Sequence, residues 1–368
     1  MATLSRRSIL KAFAAFGAGL SASGLALETC WAARVRPDKE ERDKERTARY
    51  VFNFGSIYAT ENYLTTPHAH QQIKQIIEQN TNNKIYVKIY DKGTRGSESQ
   101  LINAVRYQAM QGGLLSFANL SPLINELDIV NIPFWAADNE RYLRLVRSAA
   151  WNKHVLSKAG QYKIRVLLHY VIGGRTATTI RHHEKLIKSP DDFIGMSYRI
   201  PNSRALGTFY KLAKAAPQVI PWPLAAATAR AGRFEALDSS IVGLYSGPDN
   251  LKNEIGIISD IGLVQDAWAA IVSTDFIESL DPVTRAQFLD SFTAIQAAQF
   301  EAYQNARKYC IQEFAKLGVR IYTPTQQEHT ALATAFGPAN HAWAPVKTAL
   351  LGPNGMAIFD ELYKAAIG

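Results

Sequence analysis

The order of apolar and polar positions along this chain predicts alternating strands and helices from Tyr50 onward. Val51–Ile57 reads as a strand. Thr65-Thr66-Pro67 opens a helix to Glu78 that carries Ile73, Ile76 and Ile77 on one face. Lys84–Tyr90 alternates as a second strand. Ser97–Gln111 is a helix closed by Gly112-Gly113, and Leu114–Leu120 is a third strand. This βαβα order predicts a parallel or mixed sheet with helices on both faces.

The second half repeats the mixture. Asn139–Ser157 is a helix with Tyr142, Leu145, Val146 and Ala149 on one face, followed by strands Ile164–Tyr170 and Thr176–Ile180. The stretch from Ser189 to Gly243 is the organising one. Ser189, Pro190 and Asp192 form a helix-start signature that Gly195 closes. Met196–Ile200 then alternates, with Met196, Tyr198 and Ile200 on one face and Ser197 and Arg199 on the other. Pro201 stops that strand and Ser203 can cap the next helix. Gln218–Trp222 is a strand, and Trp222 between two prolines is stiff and must sit at a strand end. Leu237–Val242 is another, and Tyr245 leads onward into a helix. Ile257–Val264 and Ala267–Ser273 are strands returning to the first lobe. Asp281-Pro282 starts a helix that meets no breaker before Lys316. Strand Arg320–Tyr322 and helices Thr325–Phe336, His341–Leu350 and Met356–Ile367 complete the chain. Arg199 therefore lies near the C-terminal end of a strand that feeds a helix, the edge where open α/β sheets bind ligands.

Composition narrows the class. The 368 residues suffice for two lobes, and 47% apolar with 20% charged residues suits a sizeable core. A net charge of +9 raises nucleic-acid binding, but Lys and Arg are scattered, and the dense run Arg34–Arg49 is interleaved with acids rather than aromatics. A basic surface that favours anionic solutes is the better reading. Residues 1–33 resemble a twin-arginine signal peptide: Ser5-Arg6-Arg7-Ser8-Ile9-Leu10-Lys11, an apolar Ala/Gly-rich run, and Trp31-Ala32-Ala33 at the exit. The expected compartment is the periplasm. Cys30 goes with that leader, leaving Cys310 as a small buried hydrophobe and no disulfide. His182-His183 point to opposite faces of a strand and find no third ligand, so no metal and no cofactor is expected. No nucleophile elbow, P-loop, dinucleotide fingerprint or zinc-protease motif occurs, so the chain is not expected to be an enzyme.

Pro190, Asp192, Phe193, Gly195, Arg199 and Pro201 together resemble the P-x-D-L-x-G-x-K-x-R-x-P signature of the TRAP-transporter solute-binding proteins, the dicarboxylate-binding periplasmic family. Ala215–Pro217, Phe234–Ser239, Gly93–Glu98 and Ile132–Asp138 are similar to further blocks of that family. Two positions depart: Ser197 replaces the lysine before the arginine, and Val242 stands where an asparagine is common. The resemblance implies a bilobal periplasmic-binding-protein fold, α/β, with two mixed-sheet lobes and a long hinge-spanning helix. It implies lobe I over 50–174 and 265–305 and lobe II over 175–264 and 306–340. A charged flexible segment at 34–49 and a helical tail at 341–368 flank them.

By the same resemblance, Arg199 forms a bidentate bridge to a substrate carboxylate. Arg175, at the crossing between lobes, is a second candidate or a surface hinge residue. Trp222 is a cleft wall, and Tyr245 a further cleft candidate. Glu98 faces the ligand or caps its helix. Tyr198 and Trp222 near Arg199, with Val242 in place of a polar partner, point to a monocarboxylate with an apolar or aromatic body. The expected partners are a small organic acid anion and TRAP membrane subunits, with the protein a monomer or dimer and without nucleic acid. A periplasmic sensor, or an enzyme on the same scaffold, are the alternatives.

Overall fold

The computed structural model describes residues 39–368. The expected twin-arginine leader lies outside the described residues. The described part of the charged segment forms a helix, Lys39–Thr47, with Glu40 and Glu41 in its first turn and Lys44 and Arg46 in its last. That charge order suits the helix dipole.

The strands are β1 (Tyr50–Ser56), β2 (Ile85–Tyr90), β3 (Gly112–Ser116), β4 (Ile164–Gly174), β5 (Ala177–Ile180), β6 (Ser197–Ile200), β7 (Ala216–Val219), β8 (Ala236–Leu237), β9 (Ile255–Ser259), β10 (Gln265–Ser273) and β11 (Arg320–Tyr322). They form two sheets, one per lobe. The first has the order β2-β1-β3-β10-β4, the second β11-β9-β5-β8-β6-β7. In the first, β1 runs parallel to β2 and β3, while β10 is antiparallel to β3 and β4. Parallel neighbours need crossovers, and helices Gln71–Asn80 and Glu98–Arg106 supply them. Their apolar stripes, Ile73 and Ile77, Leu101 and Val105, are buried with Phe52 and Phe54 of β1. Gly112 opens β3 because a Cβ there would stand 2.6 Å from the Phe52 ring and 2.9 Å from the Ile271 carbonyl.

β4 is an edge strand, and side chains of the long helix Pro282–Lys316 complete its hydrogen bonding. The His169 N–H donates to Gln296 Oε1 (2.9 Å) and the Val171 N–H to Gln299 Oε1 (3.1 Å). Gln299 Nε2 returns a bond to the Val171 carbonyl (2.6 Å). Two glutamines thus stand in for a neighbouring strand and satisfy backbone groups that burial would otherwise strand.

In the second sheet β6 is parallel to β7 and β8, β5 is antiparallel to β8 and β9, and β11 is parallel to β9. The chain crosses between sheets after Gly174 and returns after Ser259. The two crossings bond to each other: the Arg175 N–H donates to the Val264 carbonyl (2.7 Å), and the Leu263 N–H to the Arg175 carbonyl (2.9 Å). Gly173 starts the turn with φ +96, and a Cβ there would lie 2.1 Å from Tyr303 Oη. The long helix is the third tie. It runs 35 residues from the Asp281 cap and the Pro282 start, roughly 50 Å at about 1.5 Å per residue. It packs on β4 and helix Gln71–Asn80 in one lobe and on helix Ile241–Tyr245 and β11 in the other.

Several expected elements are corrected. The helix expected from Thr65 starts at Gln71, after a turn in which His68 holds φ +60. The helix expected over Ser97–Gln111 is Glu98–Arg106, and Gln108 at φ +62 turns the chain so that Gly112 and Gly113 enter β3. β3 ends at Ser116, whose hydroxyl caps a helical turn, Phe117–Leu120. Ser148 splits the Asn139–Ser157 helix, because its extended backbone and its bond from the Trp151 N–H start a new helix. Ser240 does the same after β8, so of the strand expected over Leu237–Val242 only Leu237 is in β8, and Ile241 and Val242 begin helix Ile241–Tyr245. β9 ends at Ser259 and belongs to the second sheet.

Candidate functional site

Arg199 sits on β6, the strand next to the β7 edge of the second sheet, opposite Gln218 of β7 and Leu237 of β8. The capping box at Ser189 and Asp192 sets the turn before its strand. The alternation of β6 then divides its side chains between two faces. Tyr198 goes into the core of its lobe, stacked on Tyr210 (4.4 Å) and Phe193 (5.7 Å). Arg199 goes to the other face and lines a crevice with Arg175, Pro201, Trp222 and Ser239 from the same lobe. Glu98, Ser116, Asn119, Asp266 and Trp268 of the other lobe complete it. The crevice holds a void of about 10 Å³, the room of a single water. Trp222 also borders a larger cavity of about 440 Å³, lined by Ile57, Glu61, Asn62, Lys92, Ser246 and Asn250 among others.

The two arginines are in different states. Arg175 is buried, and both its terminal amines are engaged: Nη1 donates to Asp238 Oδ1 (3.1 Å) and Nη2 to Asp266 Oδ1 (2.7 Å), while its Nε has no acceptor among the described residues. Burial pulls its pKa down, but Asp266 and Asp238 outweigh that and hold it above the ordinary arginine value. Asp266 in turn accepts from Trp268 Nε1 (3.0 Å), Ser239 Oγ (3.0 Å) and the Ser240 N–H (3.1 Å). This network ties β10 to the end of β8 under the crevice. Arg175 is thus a clasp at the crossing, not a surface residue.

Arg199 is only 2% exposed, yet among the described residues only its Nε has a protein acceptor, the Ile220 carbonyl at 2.9 Å. Its Cζ lies 4.9 Å from the centre of the Trp222 ring. Both terminal amines lack an acceptor among the described residues. Burial lowers its pKa to about 10, against the pull of Asp238. A guanidinium out of water without a carboxylate is costly unless an anion answers it.

Glu98 is the first residue of its helix, but its carboxylate does not stay there. Oε1 accepts from the Ser116 N–H (2.8 Å) and Ser116 Oγ (2.9 Å), and Oε2 from Asn119 Nδ2 (2.5 Å). Burial raises its pKa. Glu98 and Arg199 line the same crevice but form no ion pair with each other.

Val242 and Tyr245 lie elsewhere. Val242 is buried inside its short helix. Tyr245 packs edge-on against Phe314 (5.4 Å) and Tyr309 (6.1 Å) of the long helix, with Lys252 Nζ 4.4 Å over its ring. Neither lines the crevice, and nor does Tyr198, so the argument for an apolar ligand body from Val242 and Tyr198 has no structural footing. Ser116, Asn119, Ser239, Asp266 and Trp268 were not anticipated. One signal was readable: Asp266 is the only acid in a strand whose nine residues are all buried, and a buried acid must have partners. Among the described residues no cluster of His, Cys, Asp and Glu is suited to a metal ion.

Beyond the crossings, further hydrogen bonds join the lobes. Asp128, in the turn Asn125–Asn131 beside helix Phe117–Leu120, accepts from Ser203 Oγ (2.6 Å) and the Ala205 N–H (2.8 Å). It thereby caps helix Arg204–Leu212 of the other lobe. Ser246 Oγ pairs with Thr65 Oγ1 (2.6 Å), and the Ser246 carbonyl accepts from Asn62 Nδ2 (3.2 Å).

A model of the family described as "Bacterial extracellular solute-binding protein, family 7" matches residues 55–229. An uncharacterized protein of Haemophilus influenzae is 25% identical over 197 residues, 53% of this chain and 53% of its own length. The C4-dicarboxylate-binding periplasmic protein DctP of Rhodobacter capsulatus is 22% identical over 210 residues, 57% of this chain and 61% of its own. The chain thus matches little more than half the length of these curated relatives. The solved structure of a TRAP periplasmic solute binding protein from Desulfovibrio salexigens, with bound orotic acid, superposes with a TM-score of 0.77 at 15% identity. It covers 86% of this chain and 99% of its own, which establishes the shared bilobal fold. Over residues 55–229 the chain thus resembles the bacterial extracellular solute-binding proteins of family 7, and its fold is that of the solved TRAP periplasmic solute binding proteins.

Proposed function

We propose that this chain captures an organic acid anion in the periplasm through an Arg199–carboxylate bridge and delivers it to TRAP-type membrane subunits. The carrying observation is Arg199 itself: a buried guanidinium at the seam between two hinged lobes, with both terminal amines open. A planar fork of two N–H donors matches the two oxygens of a carboxylate. The relatives support the ligand class, since one is named for C4-dicarboxylates and another holds orotic acid, a carboxylate. The crevice is shut around a void too small for such a molecule, so the lobes must part to admit it and close over it, a hinge motion about the crossings. Among the described residues no helix is long and apolar enough to cross a membrane. A bound anion needs no chemistry here: the groups that line the crevice hold one another or wait for a partner, and binding with closure is sufficient work for a delivery protein.

The test is calorimetry of the purified protein against a set of small organic acids, with Arg199→Ala alongside. Loss of one partner from a buried charge pair costs about 3–5 kcal/mol. Binding should therefore fall below detection in Arg199→Ala. Equal affinity in the two proteins would remove the assignment.

A further inference from the structure

We propose that this site is built for a monocarboxylate that carries a hydrogen-bond donor close to its carboxylate, and that Glu98 makes it discriminate against dicarboxylates. The inference rests on reading Arg199 as the carboxylate grip and adds what the other side of the crevice requires.

The argument is a balance of charges. Two guanidiniums line the crevice, Arg175 and Arg199, and no lysine does. Arg175 already holds two carboxylates, Asp238 and Asp266. Its charge is answered, and among the described residues its Nη atoms point to these partners. One cation is left for a ligand, Arg199. One anion is left as well, Glu98, which has no cationic partner within ion-pair distance among the described residues.

Glu98 is also built to be a carboxylate. Three donors converge on it: the Ser116 N–H, the Ser116 hydroxyl and the Asn119 amide. Oε1 takes two of them, and Oε2 takes only the Asn119 amide, so Oε2 retains capacity to accept another bond. Its side chain stays put because Ser116 is fixed at the end of β3 and caps the next helical turn. Burial raises its pKa, against the pull of the Ser116 and Asn119 donors and of Arg199.

A ligand that fits has one carboxylate for Arg199 and a hydroxyl or ammonium for Glu98. A second carboxylate would enter the same desolvated space beside Glu98 and Asp266, with no cation left to meet it. Like charges a few ångströms apart away from water repel strongly. The departure from dicarboxylate binding thus follows from Arg175 being occupied by two acids.

The experiment is calorimetry of wild type and Glu98→Gln with five probes: lactate, mandelate, L-alanine, propionate and succinate. In wild type, the best of the donor-bearing monocarboxylates should bind at least about tenfold more tightly than succinate, and lactate more tightly than propionate. Lactate over alanine would identify the donor as a hydroxyl, and the reverse as an ammonium; both support the proposal. In Glu98→Gln the ratio of monocarboxylate to succinate affinity should narrow by at least about tenfold. Succinate binding as tightly as lactate, mandelate and alanine in wild type overturns the proposal, even if the variant does not fold. So does an unchanged ratio in a folded variant. Failure of the underlying reading looks different: none of the five acids binds wild type, or Arg199→Ala keeps the affinity.

Discussion

The guanidinium carbon of Arg199 lies 4.9 Å from the centre of the Trp222 indole, and the two residues come from opposite ends of one local unit. β6 delivers Arg199, and the turn after β7 delivers Trp222. Pro221 and Pro223 bracket the indole, so its backbone is stiff where the ring must form a fixed floor. The Arg199 Nε bond to the Ile220 carbonyl sets the fork's plane from the same turn. The ring partly compensates a buried charge whose terminal amines have no acceptor among the described residues.

Trp222→Ala should therefore weaken ligand binding through two effects. It removes a cation–π contact worth about 0.5–2 kcal/mol. It also removes the wall shared with the neighbouring cavity of about 440 Å³, letting water reach Arg199. Calorimetry should show a loss of roughly three- to thirtyfold in affinity. Trp222→Phe should recover part of it.

Arg175 should behave as a structural residue. Arg175→Met leaves Asp238 and Asp266 buried without their shared cation. Breaking a buried pair in this way costs about 3–5 kcal/mol. Urea unfolding should show a lower midpoint with the ligand absent. Arg199→Ala, in contrast, removes a buried charge that has no carboxylate, and its ligand-free stability should be equal to wild type or higher.

Asp128 should govern closure. Its carboxylate caps helix Arg204–Leu212 from the other lobe through Ser203 and Ala205. Asp128→Ala removes that cap, which is worth about 0.5–2 kcal/mol. Because the bond exists only when the lobes meet, affinity should fall by roughly tenfold. The ligand-free variant should have a larger radius of gyration by small-angle scattering. An unchanged radius would mean that the contact does not hold the lobes together.

His169 should make the fold acid-sensitive. It lies among Phe117, Tyr142 and Trp151, and burial pushes its pKa down to about 3, with Arg147 adding to the effect. Below about pH 6.5 the unfolded chain takes up a proton that the native chain refuses. The native pKa is depressed, so stability present above pH 6.5 is lost as pH falls, by about 1.4 kcal/mol per unit until the native value is reached. Burial lowers His70 likewise, to about 4. Buried Glu98, Asp128 and Asp238 have raised values and act in the opposite sense, so the His169 share must be isolated. Urea midpoints of wild type and His169→Phe at pH 7 and pH 5 do so: the drop between the two should be smaller in the variant.

Much of the local structure was legible because its causes are local. The long helix follows from the Asp281 cap, Pro282 and an unbroken run to Lys316. The strand with Arg199 on one face follows from a period of two and from Pro201. The C-terminal helices match their caps within a few residues. The errors share a cause too. Serine caps at 116, 148 and 240 start helices inside runs whose apolar pattern favours continuation. At each, one hydroxyl bond to a backbone N–H three residues on decides the outcome, and periodicity does not register it.

Alternation alone determined that Arg199 and Tyr198 would part company, and the family signature marked which of the two to watch. Only the folded chain decided which neighbours each would meet. Glu98, Asp266 and Arg199 lie far apart in sequence, and their charges come together because two sheets cross at Arg175 and Leu263–Val264. Whether an arginine is already paired or still open depends on carboxylates brought in from other strands. Arg175 has two and Arg199 has none, and a one-dimensional pattern carries no record of that distance.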